Sequence, residues 1–264
     1  MDTYYNGEHS IIIGSKHTWD DWALVPTDRP AVPLPSVNTM YVDIPGANGQ
    51  LDLSDVLLGF PTYKNRTGDW KFNIAHDKCQ YPWNQLYENM AMYLHGRKRT
   101  CILVDDPAYF YNGRYTVESF QSGTTFSTVT IKYTLDPFKW LNWTTCGDWL
   151  WDPFDFVYGV ITKSDFTNLR VNEGETFTKV WTQSQIGMAP VTPVITVNST
   201  DGSSGMTLKV NNRGTNKGLK TFTLQNGRNE NPLIMLSCPD ADDTTYIEVT
   251  GNGTISFDFR PGRL

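Results

Sequence analysis

The chain has 264 residues, 28 acidic against 22 basic side chains, a formal net charge of −6 and 13% aromatic residues. A chain of this length and aromatic content can build a sizeable core, which excludes a disordered acidic protein. The acidic balance argues against a protein that wraps nucleic acid, because phosphates are neutralised by clustered Lys and Arg, and the sequence has a single basic run, Arg97 to Arg99.

The sequence also limits the expected location. Its apolar runs are far shorter than the roughly 20 residues that span a bilayer, so no membrane span is expected. The N-terminus lacks the basic and apolar regions of a secretory signal. The cysteines form no C-x-x-C pair of the zinc or redox type, so we expect free thiols in a reducing compartment. They are Cys79, Cys101, Cys146 and Cys238.

A proline-rich segment comes first in chain order. Pro26, Pro30, Pro33 and Pro35 lie within ten residues. This density favours extended chain over helix or central strand. We expect a long loop or arm here.

Alternating apolar and polar residues predict strands with one buried face. The pattern occurs at Trp70 to Ile74, Val129 to Tyr133, Met206 to Val210 and Ile255 to Phe259. Asn-Gly pairs separate such runs and can supply the positive φ angles of tight hairpin turns. The pairs begin at Asn6, Asn48, Asn112, Asn226 and Asn252.

One segment has helical spacing instead. Apolar side chains recur at helical intervals from Trp83 to Leu94, behind Pro82, and Gly96 follows where a helix would end. These signals predict one amphipathic helix. Its apolar stripe is expected to pack against a sheet.

The alternating pattern lapses where tryptophans crowd, from Trp140 to Trp151. We place a domain boundary at about 138–150, between a first domain over 1–138 and a second over 139–264. The second domain is predicted to be almost entirely strand and turn, which is typical of a sandwich of two antiparallel sheets. The predicted fold class is therefore mainly β.

The sequence contains no familiar catalytic or cofactor motif, such as H-E-x-x-H, G-x-S-x-G, a Walker loop or G-x-G-x-x-G. Acidic pairs could serve a glycosidase, although such pairs are common at turns. They are Asp105-Asp106, Asp152 with Asp155, and Asp242-Asp243. We predict no catalytic residue, no metal site and no cofactor.

A sugar-binding role stays open for the second domain. Exposed Trp and Tyr rings can stack on sugars while Asn and Asp bind hydroxyls. Large aromatic side chains are more often buried, so a core role is the simpler interpretation. The residues that would form a glycan platform are Trp149, Trp151, Tyr158, Trp181 and Tyr246.

A series of segments resembles a known family. Asp43 to Leu53 reads DIPGANGQLDL, Gly59 to Gly68 reads GFPTYKNRTG, and the predicted helix ends in Leu-His-Gly-Arg. Asp-Asp-Pro, an aromatic cluster and Gly-Arg follow over 105–114. In this order the segments resemble the N-terminal part of the distal tail (Dit) proteins of siphophages. Pro193 to Val197 and Gly251 to Leu264 resemble the start and end of that family's second domain, and Trp140 to Gln185 matches least.

This resemblance implies a structural virion protein and no enzyme. In the family, a hexameric ring lies below the last ring of the tail tube, and tail-tip or baseplate proteins attach beneath it. The first domain would form the ring with a split-barrel-like sheet and a helix. The second would be a galectin-like β-sandwich that projects outward and scaffolds receptor-binding proteins. A carbohydrate-binding module or glycan-active enzyme is the alternative.

The resemblance also implies partners and a location. The partners would be further copies of the chain, the tail tube protein and tail-tip or tail-associated proteins, with a receptor-binding protein or host glycan left open. The protein would lie at the distal tail tip after assembly in the bacterial host cytoplasm. Tight nucleic-acid binding is not expected, because DNA must pass through the tail and strong phosphate contacts would slow it.

The loop from Ile44 to Gly68 is predicted to contact a neighbouring subunit or the tail tube, with an ordinary hairpin connection as the alternative. Lys64 and Arg66 would pair with carboxylates across that contact. Charge reversal at Arg66 is therefore expected to hinder tail assembly and leave the fold intact. The predicted contact residues are Pro45, Gly46, Asn48, Gly49, Lys64, Asn65 and Arg66.

Overall fold

The computed structural model describes residues 7–46, 48–56, 58–75, 78–122, 127–147, 165–200 and 205–264. The fold is mainly β, as predicted. The chain divides into two compact units, Met1–Lys139 with Leu264 and Trp140–Arg263. Each unit has its own hydrophobic core. The roles given to the two domains from the sequence stay predictions.

The first unit contains nine strands and one helix among its described residues. They are β1 (Ile11–Ile13), β2 (Lys16–His17), β3 (Leu24–Pro26), β4 (Tyr41–Asp43), β5 (Gln50–Asp52), β6 (Arg66–Ile74), α1 (Trp83–Leu94), β7 (Lys98–Leu103), β8 (Tyr109–Ser122) and β9 (Ser127–Leu135). Seven of the strands form a curled half-barrel sheet in the antiparallel order β2-β1-β7-β8-β9-β6-β3. The other two, β4 and β5, pair with each other as a separate ribbon.

The buried faces of the sheet follow the alternation in the sequence. In β6, Trp70, Phe72 and Ile74 are buried while intervening residues face outward, and β9 repeats the pattern from Val129 to Leu135. The two strands lie side by side, with Trp70 opposite Ile131. Their apolar side chains therefore enter one core.

The helix α1 has the predicted bounds. It buries Leu86, Met90 and Leu94, which repeat at helical spacing and pack into the same core as the sheet. It ends as expected, because Gly96 adopts a φ of +69°, a left-handed conformation in which glycine carries no steric penalty. The helix prediction is confirmed.

Not every Asn-Gly pair is a turn. Asn48-Gly49 connects β4 to β5 and Gly49 has a φ of +82°. Asn112-Gly113, in contrast, lies inside β8, so the turn predicted there is wrong. Gly113 pairs with Leu135, and a Cβ at this position would lie 2.4 Å from the Thr134 carbonyl oxygen. A close approach between strands requires this glycine.

The second unit contains ten strands and one short helix among its described residues. They are β10 (Lys139–Leu141), which begins at the division between the units, β11 (Leu169–Val171), β12 (Thr176–Thr182), α2 (Gln183–Ile186), β13 (Val194–Ser199), β14 (Met206–Asn211), β15 (Lys220–Leu224), β16 (Gly227–Glu230), β17 (Thr244–Thr250), β18 (Gly253–Asp258) and β19 (Gly262–Arg263). Two four-stranded sheets, β11-β18-β13-β16 and β12-β17-β14-β15, form the predicted antiparallel β-sandwich. Phe166, Trp181 and Phe257 lie at its centre.

Two features of the second unit were not predicted. The single-turn helix α2 follows β12, and the Thr182 backbone N–H donates to the Gln185 side-chain oxygen at 3.1 Å, as in a helix cap. The segment after β10 is held against the C-terminal strands. Thr145 Oγ1 donates to the Phe257 carbonyl at 2.7 Å and accepts from the Phe259 N–H at 3.0 Å.

Candidate functional site

Exposed apolar side chains are concentrated in one stretch of the first unit. Among the described residues, most of the large hydrophobic side chains that face solvent lie between positions 34 and 58. They are Leu34, Val37, Met40, Tyr41, Val42, Ile44, Leu51, Val56 and Leu58. Because large exposed apolar patches mark interaction sites on soluble proteins, this stretch is the candidate site.

The ribbon of β4 and β5 explains this exposure. Val42 lies opposite Leu51, and the Leu53 N–H donates to the Met40 carbonyl at 2.8 Å, which continues the same register. Since side chains alternate along a strand, Met40, Val42, Leu51 and Leu53 share one face of the ribbon. We call these four residues the hairpin face. Three of them are exposed and Leu53 is half-buried.

The opposite face of the ribbon is acidic and polar. Tyr41 lies opposite Asp52, and Asp43 lies opposite Gln50, whose side-chain amide donates to Asp43 Oδ1 at 2.9 Å. Hydrogen bonds from the Ser54 hydroxyl and N–H, with a smaller one from Tyr41, lower the pKa of the Asp52 carboxyl and outweigh the opposing effect of burial. Asp52 is therefore charged at neutral pH. The ribbon thus presents one apolar and one acidic face to solvent.

The base of the ribbon is anchored to the segment that leads into β6. Val37 forms a bridge with Tyr63, the Asn38 N–H donates to the Thr62 carbonyl at 2.8 Å, and the Lys64 N–H donates to the Ser36 carbonyl at 2.8 Å. The Tyr63 ring in turn meets the edge of the Phe138 ring, with centroids 5.8 Å apart. These contacts fix where the ribbon leaves the body of the unit.

Arg66 also holds this region in place, through hydrogen bonds to backbone carbonyl groups. Its Nε donates to the Pro137 carbonyl at 2.8 Å and its Nη1 donates to the Pro33 carbonyl at 2.9 Å. The neighbouring part of the arm is held by Trp70 Nε1 and Tyr133 Oη, which both donate to the Ala31 carbonyl. Pro26 lies in the edge strand β3, and residues 27–36 of the proline-rich arm contain neither helix nor strand and are bound to the sheet by these hydrogen bonds.

The position of Arg66 corrects its predicted role. The side chain is 2% exposed, and burial lowers the pKa of its guanidinium. A side chain enclosed by carbonyl groups of its own chain does not reach a carboxylate on a neighbour. Charge reversal would place a carboxylate against those carbonyls, so it would not leave the fold intact.

The other predicted contact residues of the loop lie on the surface. Their contact with a neighbouring subunit or the tail tube stays a prediction. Sequence reasoning had emphasised the Pro-Gly and Asn-Gly turns and missed the hairpin face, although the alternating apolar residues before and after them were a visible signal. The exposed residues are Pro45, Gly46, Asn48, Gly49, Lys64 and Asn65.

The structure changes the account of the glycan platform. Trp181 is fully buried between the rings of Phe166 and Phe257, each 5.0 Å away between centroids, so it is a core residue and no sugar platform. Tyr246 is half-buried on β17, and its hydroxyl donates to Glu248 Oε1 at 3.1 Å. Three further platform residues lie outside the described residues: Trp149, Trp151 and Tyr158.

The acidic pair of the first unit, Asp105-Asp106, is bound by basic side chains. Asp105 lies 2.8 Å from His9 Nδ1 and 2.9 Å from Arg29 Nε, while Asp106 lies 2.7 Å from Lys139 Nζ. Burial raises the pKa of Asp105, but the hydrogen bonds from His9 and Arg29 outweigh it and lower that pKa overall. The general acid of a glycosidase needs a raised pKa, which is the opposite of the shift at Asp105.

The Asp242-Asp243 pair of the second unit lies in a turn. Asp243 Oδ2 accepts from the Asp240 N–H at 3.0 Å within an exposed turn. Asp152 and Asp155 lie outside the described residues. No group of three or more His, Cys, Asp or Glu side chains suited to a metal ion occurs in the described part of the chain.

Ser10, His17 and Asp20 form a series that has the composition of a catalytic triad but the wrong hydrogen-bond directions. Ser10 Oγ lies 3.1 Å from His17 Nε2, and His17 Nδ1 lies 3.4 Å from Asp20 Oδ2. The buried Ser10 hydroxyl donates to the Gly7 carbonyl at 2.6 Å, and the Asp20 N–H donates to His17 Nδ1 at 3.3 Å. The imidazole therefore donates to the serine and does not accept its proton, as a base would.

The basic run does not form a single cationic surface. The Arg99 guanidinium stacks on the Tyr93 ring, 3.6 Å from its centroid, and its Nε donates to the Tyr93 carbonyl. Lys98 lies 3.3 Å from Asp136. Arg97 is exposed just beyond the end of α1. The expectation of weak DNA binding stays a prediction.

Comparisons with known proteins place the fold. No family model matches the chain, and no curated protein matches its sequence. Among solved structures, the Dit protein (gp19.1) of phage SPP1 matches with a TM-score of 0.58 and 14% sequence identity, over 95% of this chain and 98% of that chain. The chain has the fold of a Dit protein.

The SPP1 protein is described as a paradigm of the hub adsorption apparatus in phages that infect Gram-positive bacteria. Because the match covers 95% of the chain, the Dit-like fold includes the half-barrel unit and the sandwich unit. The predicted fold class is confirmed. No helix in the described ranges is long and apolar enough to cross a membrane.

Proposed function

We propose that the protein is a structural component of a phage tail, forming a hexameric ring at the distal end that joins the tail tube to tail-tip or receptor-binding proteins. The observation that carries this proposal is the Dit-like fold over 95% of the chain. Fold alone does not fix function. The surface of the first unit supplies the second argument.

A ring subunit needs a surface that is completed by its neighbours. The ribbon of β4 and β5 exposes apolar side chains on the hairpin face, and a two-stranded hairpin is marginally stable by itself in water. Packing against another protein would remove this apolar surface from water. The ribbon is therefore the part of the unit best suited to a subunit contact.

The protein acts without catalysis in this proposal. The acidic residues of the first unit that would be needed for a glycosidase are paired with His9, Arg29 and Lys139. The Ser10 hydroxyl donates its hydrogen to the Gly7 carbonyl and not to His17. Trp181 is buried in the core, so it cannot serve the carbohydrate-binding alternative. Among the described platform residues, only Tyr246 is partly exposed.

Electron microscopy of virions tests the proposed location. A peptide tag on the C-terminus, detected with gold-labelled antibody, is expected to mark the distal tail tip at the junction with the tail tube. Deletion of the gene is expected to give particles without complete tails. A tagged, otherwise wild-type phage with normal infectivity is the control.

Label on the capsid or along the whole tube, or no protein in purified virions, would contradict the proposed function. Image averaging of isolated tail tips tests the ring separately, because a hexamer gives sixfold symmetry. Another symmetry at the labelled position would refute the hexamer and keep the tail location.

A further inference from the structure

The chain contains five Asn-Gly pairs, and four of them lie in its described part. Asn-Gly is a dipeptide prone to spontaneous deamidation, because glycine has no Cβ to keep its backbone nitrogen away from the preceding side-chain amide. The four described pairs share this local chemistry and differ in their surroundings. The structure therefore decides which of them can react.

The pair Asn48-Gly49 is the least constrained of the four. Both residues are exposed, in the connection between β4 and β5 and outside the paired strands. Neither the Asn48 side-chain amide nor the Gly49 N–H has a hydrogen-bond partner among the described residues. Beyond its chain neighbours, Gly49 has no described atom within 4 Å of its Cβ position. The pair can thus change its dihedral angles without breaking a described contact.

Two of the other pairs have a side chain that is held. Asn226 Oδ1 accepts from the Ser199 N–H at 2.9 Å, and Asn252 Oδ1 accepts from Thr200 Oγ1 at 3.1 Å. The glycines that follow these asparagines begin β16 and β18 and are paired with β13. Each pair must therefore open a hydrogen bond and distort a strand before its glycine nitrogen can reach the side-chain amide.

The fourth pair, Asn112-Gly113, lies inside β8. Gly113 is opposite Arg99 in β7 and opposite Leu135 in β9, so the pair has a strand on each side. Backbone N–H groups of a strand lie in the plane of the sheet, whereas side chains stand roughly perpendicular to it. The Gly113 nitrogen is therefore directed away from the Asn112 amide.

We propose that Asn48 is a self-modification site, at which the native, unassembled chain deamidates faster than at its other described Asn-Gly pairs. The Gly49 nitrogen attacks the side-chain carbonyl carbon of Asn48 and forms a new C–N bond. The bond to the amide nitrogen breaks, and that nitrogen leaves as ammonia with the proton that Gly49 gives up. Water then opens the cyclic imide, which yields aspartate when it attacks the side-chain carbonyl and isoaspartate when it attacks the backbone carbonyl.

The reaction would change the tip of the ribbon. Each conversion adds one negative charge beside a ribbon that already carries Asp43 and Asp52. Isoaspartate also adds one methylene to the main chain between Asp43 and Gln50, the residue pair that closes the connection. The proposal goes beyond the tail function and does not rest on it, because it concerns the chemistry of the chain alone.

Peptide mapping by mass spectrometry tests the proposal on the purified, full-length protein incubated at pH 8. Water enriched in heavy oxygen labels each position that converts during the incubation. Asn48 is expected to convert at least about ten-fold faster than Asn112, Asn226 and Asn252. A ten-fold ratio corresponds to about 1.4 kcal/mol, close to the contribution of one hydrogen bond that must open first. Converted chains are expected to separate as a more acidic form on anion exchange.

Two controls separate the structure from the local sequence. In guanidinium chloride the four pairs are expected to react at similar rates, because the strands and hydrogen bonds that hold three of them are lost. Asn48→Gln keeps an exposed amide whose larger imide ring closes more slowly. This variant is expected to show no conversion at position 48 and to keep the unfolding midpoint of the parent.

Three results would overturn the proposal. One is conversion of native Asn112, Asn226 or Asn252 at the rate of Asn48, and another is a native Asn48 that stays unmodified while the denatured chain reacts. The third is the same order of rates in native and denatured protein, which would show that the local sequence decides the reaction. Each of these leaves the proposed tail function intact, because that function is tested on virions.

Discussion

Replacing Arg66 by Ala should destabilise the first unit, although the residue lies at the end of a surface loop. Its side chain is 2% exposed and its two hydrogen bonds join β6 to distant parts of the chain, Pro33 in the arm and Pro137 after β9. The substitution leaves both carbonyl groups without this donor. The arm should then detach more readily from the sheet.

The expected size follows from these contacts. A hydrogen bond to a charged group contributes about 1.5–3 kcal/mol, so two contribute roughly 3–6 kcal/mol. Removing the cation also relieves an opposing cost, because among the described residues no carboxylate pairs with Arg66 and burial lowers its pKa. We expect a net loss of about 2–4 kcal/mol in the free energy of unfolding.

Denaturant unfolding followed by tryptophan fluorescence measures this loss. The chain has nine tryptophans, and Trp70 of the first unit donates to the Ala31 carbonyl of the arm, so detachment of the arm contributes to the change in emission. The chain has two units, and their transitions are fitted separately. Lys64→Ala, at an exposed neighbouring position, is the control and should change stability by less than about 0.5 kcal/mol. An Arg66→Ala variant that matched this control would refute the reasoning.

Three further predictions concern other buried groups. Trp181→Ala should cost the second unit about 3–5 kcal/mol by thermal or denaturant unfolding, and unchanged stability would show that the side chain is not part of the core. Asp105→Asn should be less stable than the parent at pH 7, and the difference in unfolding free energy should close as the pH falls below about 4. The reason is that a carboxyl whose pKa is lowered by folding stabilises the native state above its unfolded-state pKa and loses that effect in acid. A difference in unfolding free energy that does not change with pH in urea unfolding would contradict this. Burial raises the pKa of Cys101 to about 12 and also raises that of Cys238, so a thiol reagent at pH 8 should leave both unmodified until denaturant is added, and mass spectrometry that found either labelled in the native protein would count against it.

The fold was predictable wherever one face of an element is buried within the chain. Alternation marked β6 and β9 because their inward side chains reach one core. Helical spacing, with Pro82 before it and Gly96 after it, located α1 for the same reason. In these segments local pattern and tertiary packing favour the same conformation.

The failures share a different cause. Asn112-Gly113 carries a turn signal, but the glycine is needed because β9 approaches closely, which is a property of the partner strand. The burial of Arg66 depends on carbonyl groups at Pro33 and Pro137, far away in sequence. Such positions are decided by long-range contacts, and a local pattern contains no information about them.

The ribbon is a third case, because most of its apolar side chains are exposed in the chain. Alternation from Met40 to Ile44 would normally indicate a strand whose apolar side faces a core. Here the ribbon exposes that side. The core of the first unit therefore does not explain these apolar residues, and the sequence showed the segment to be unusual without showing its apolar face as the candidate site.

The burial of Arg66 also decides how a subunit contact can be tested. A charge reversal there would disturb the arm, the base of the ribbon and the sheet together, so a tail-assembly defect could come from unfolding as well as from a lost contact. Lys64 and Asp43 are exposed and lie on the same ribbon and its base. Substitutions at these positions change the surface and leave the anchoring hydrogen bonds of Arg66 in place. If Asp43→Lys shows an assembly defect and keeps the unfolding midpoint of the parent, the contact lies on the ribbon. The same defect in Arg66→Glu would give no information on the position of the contact.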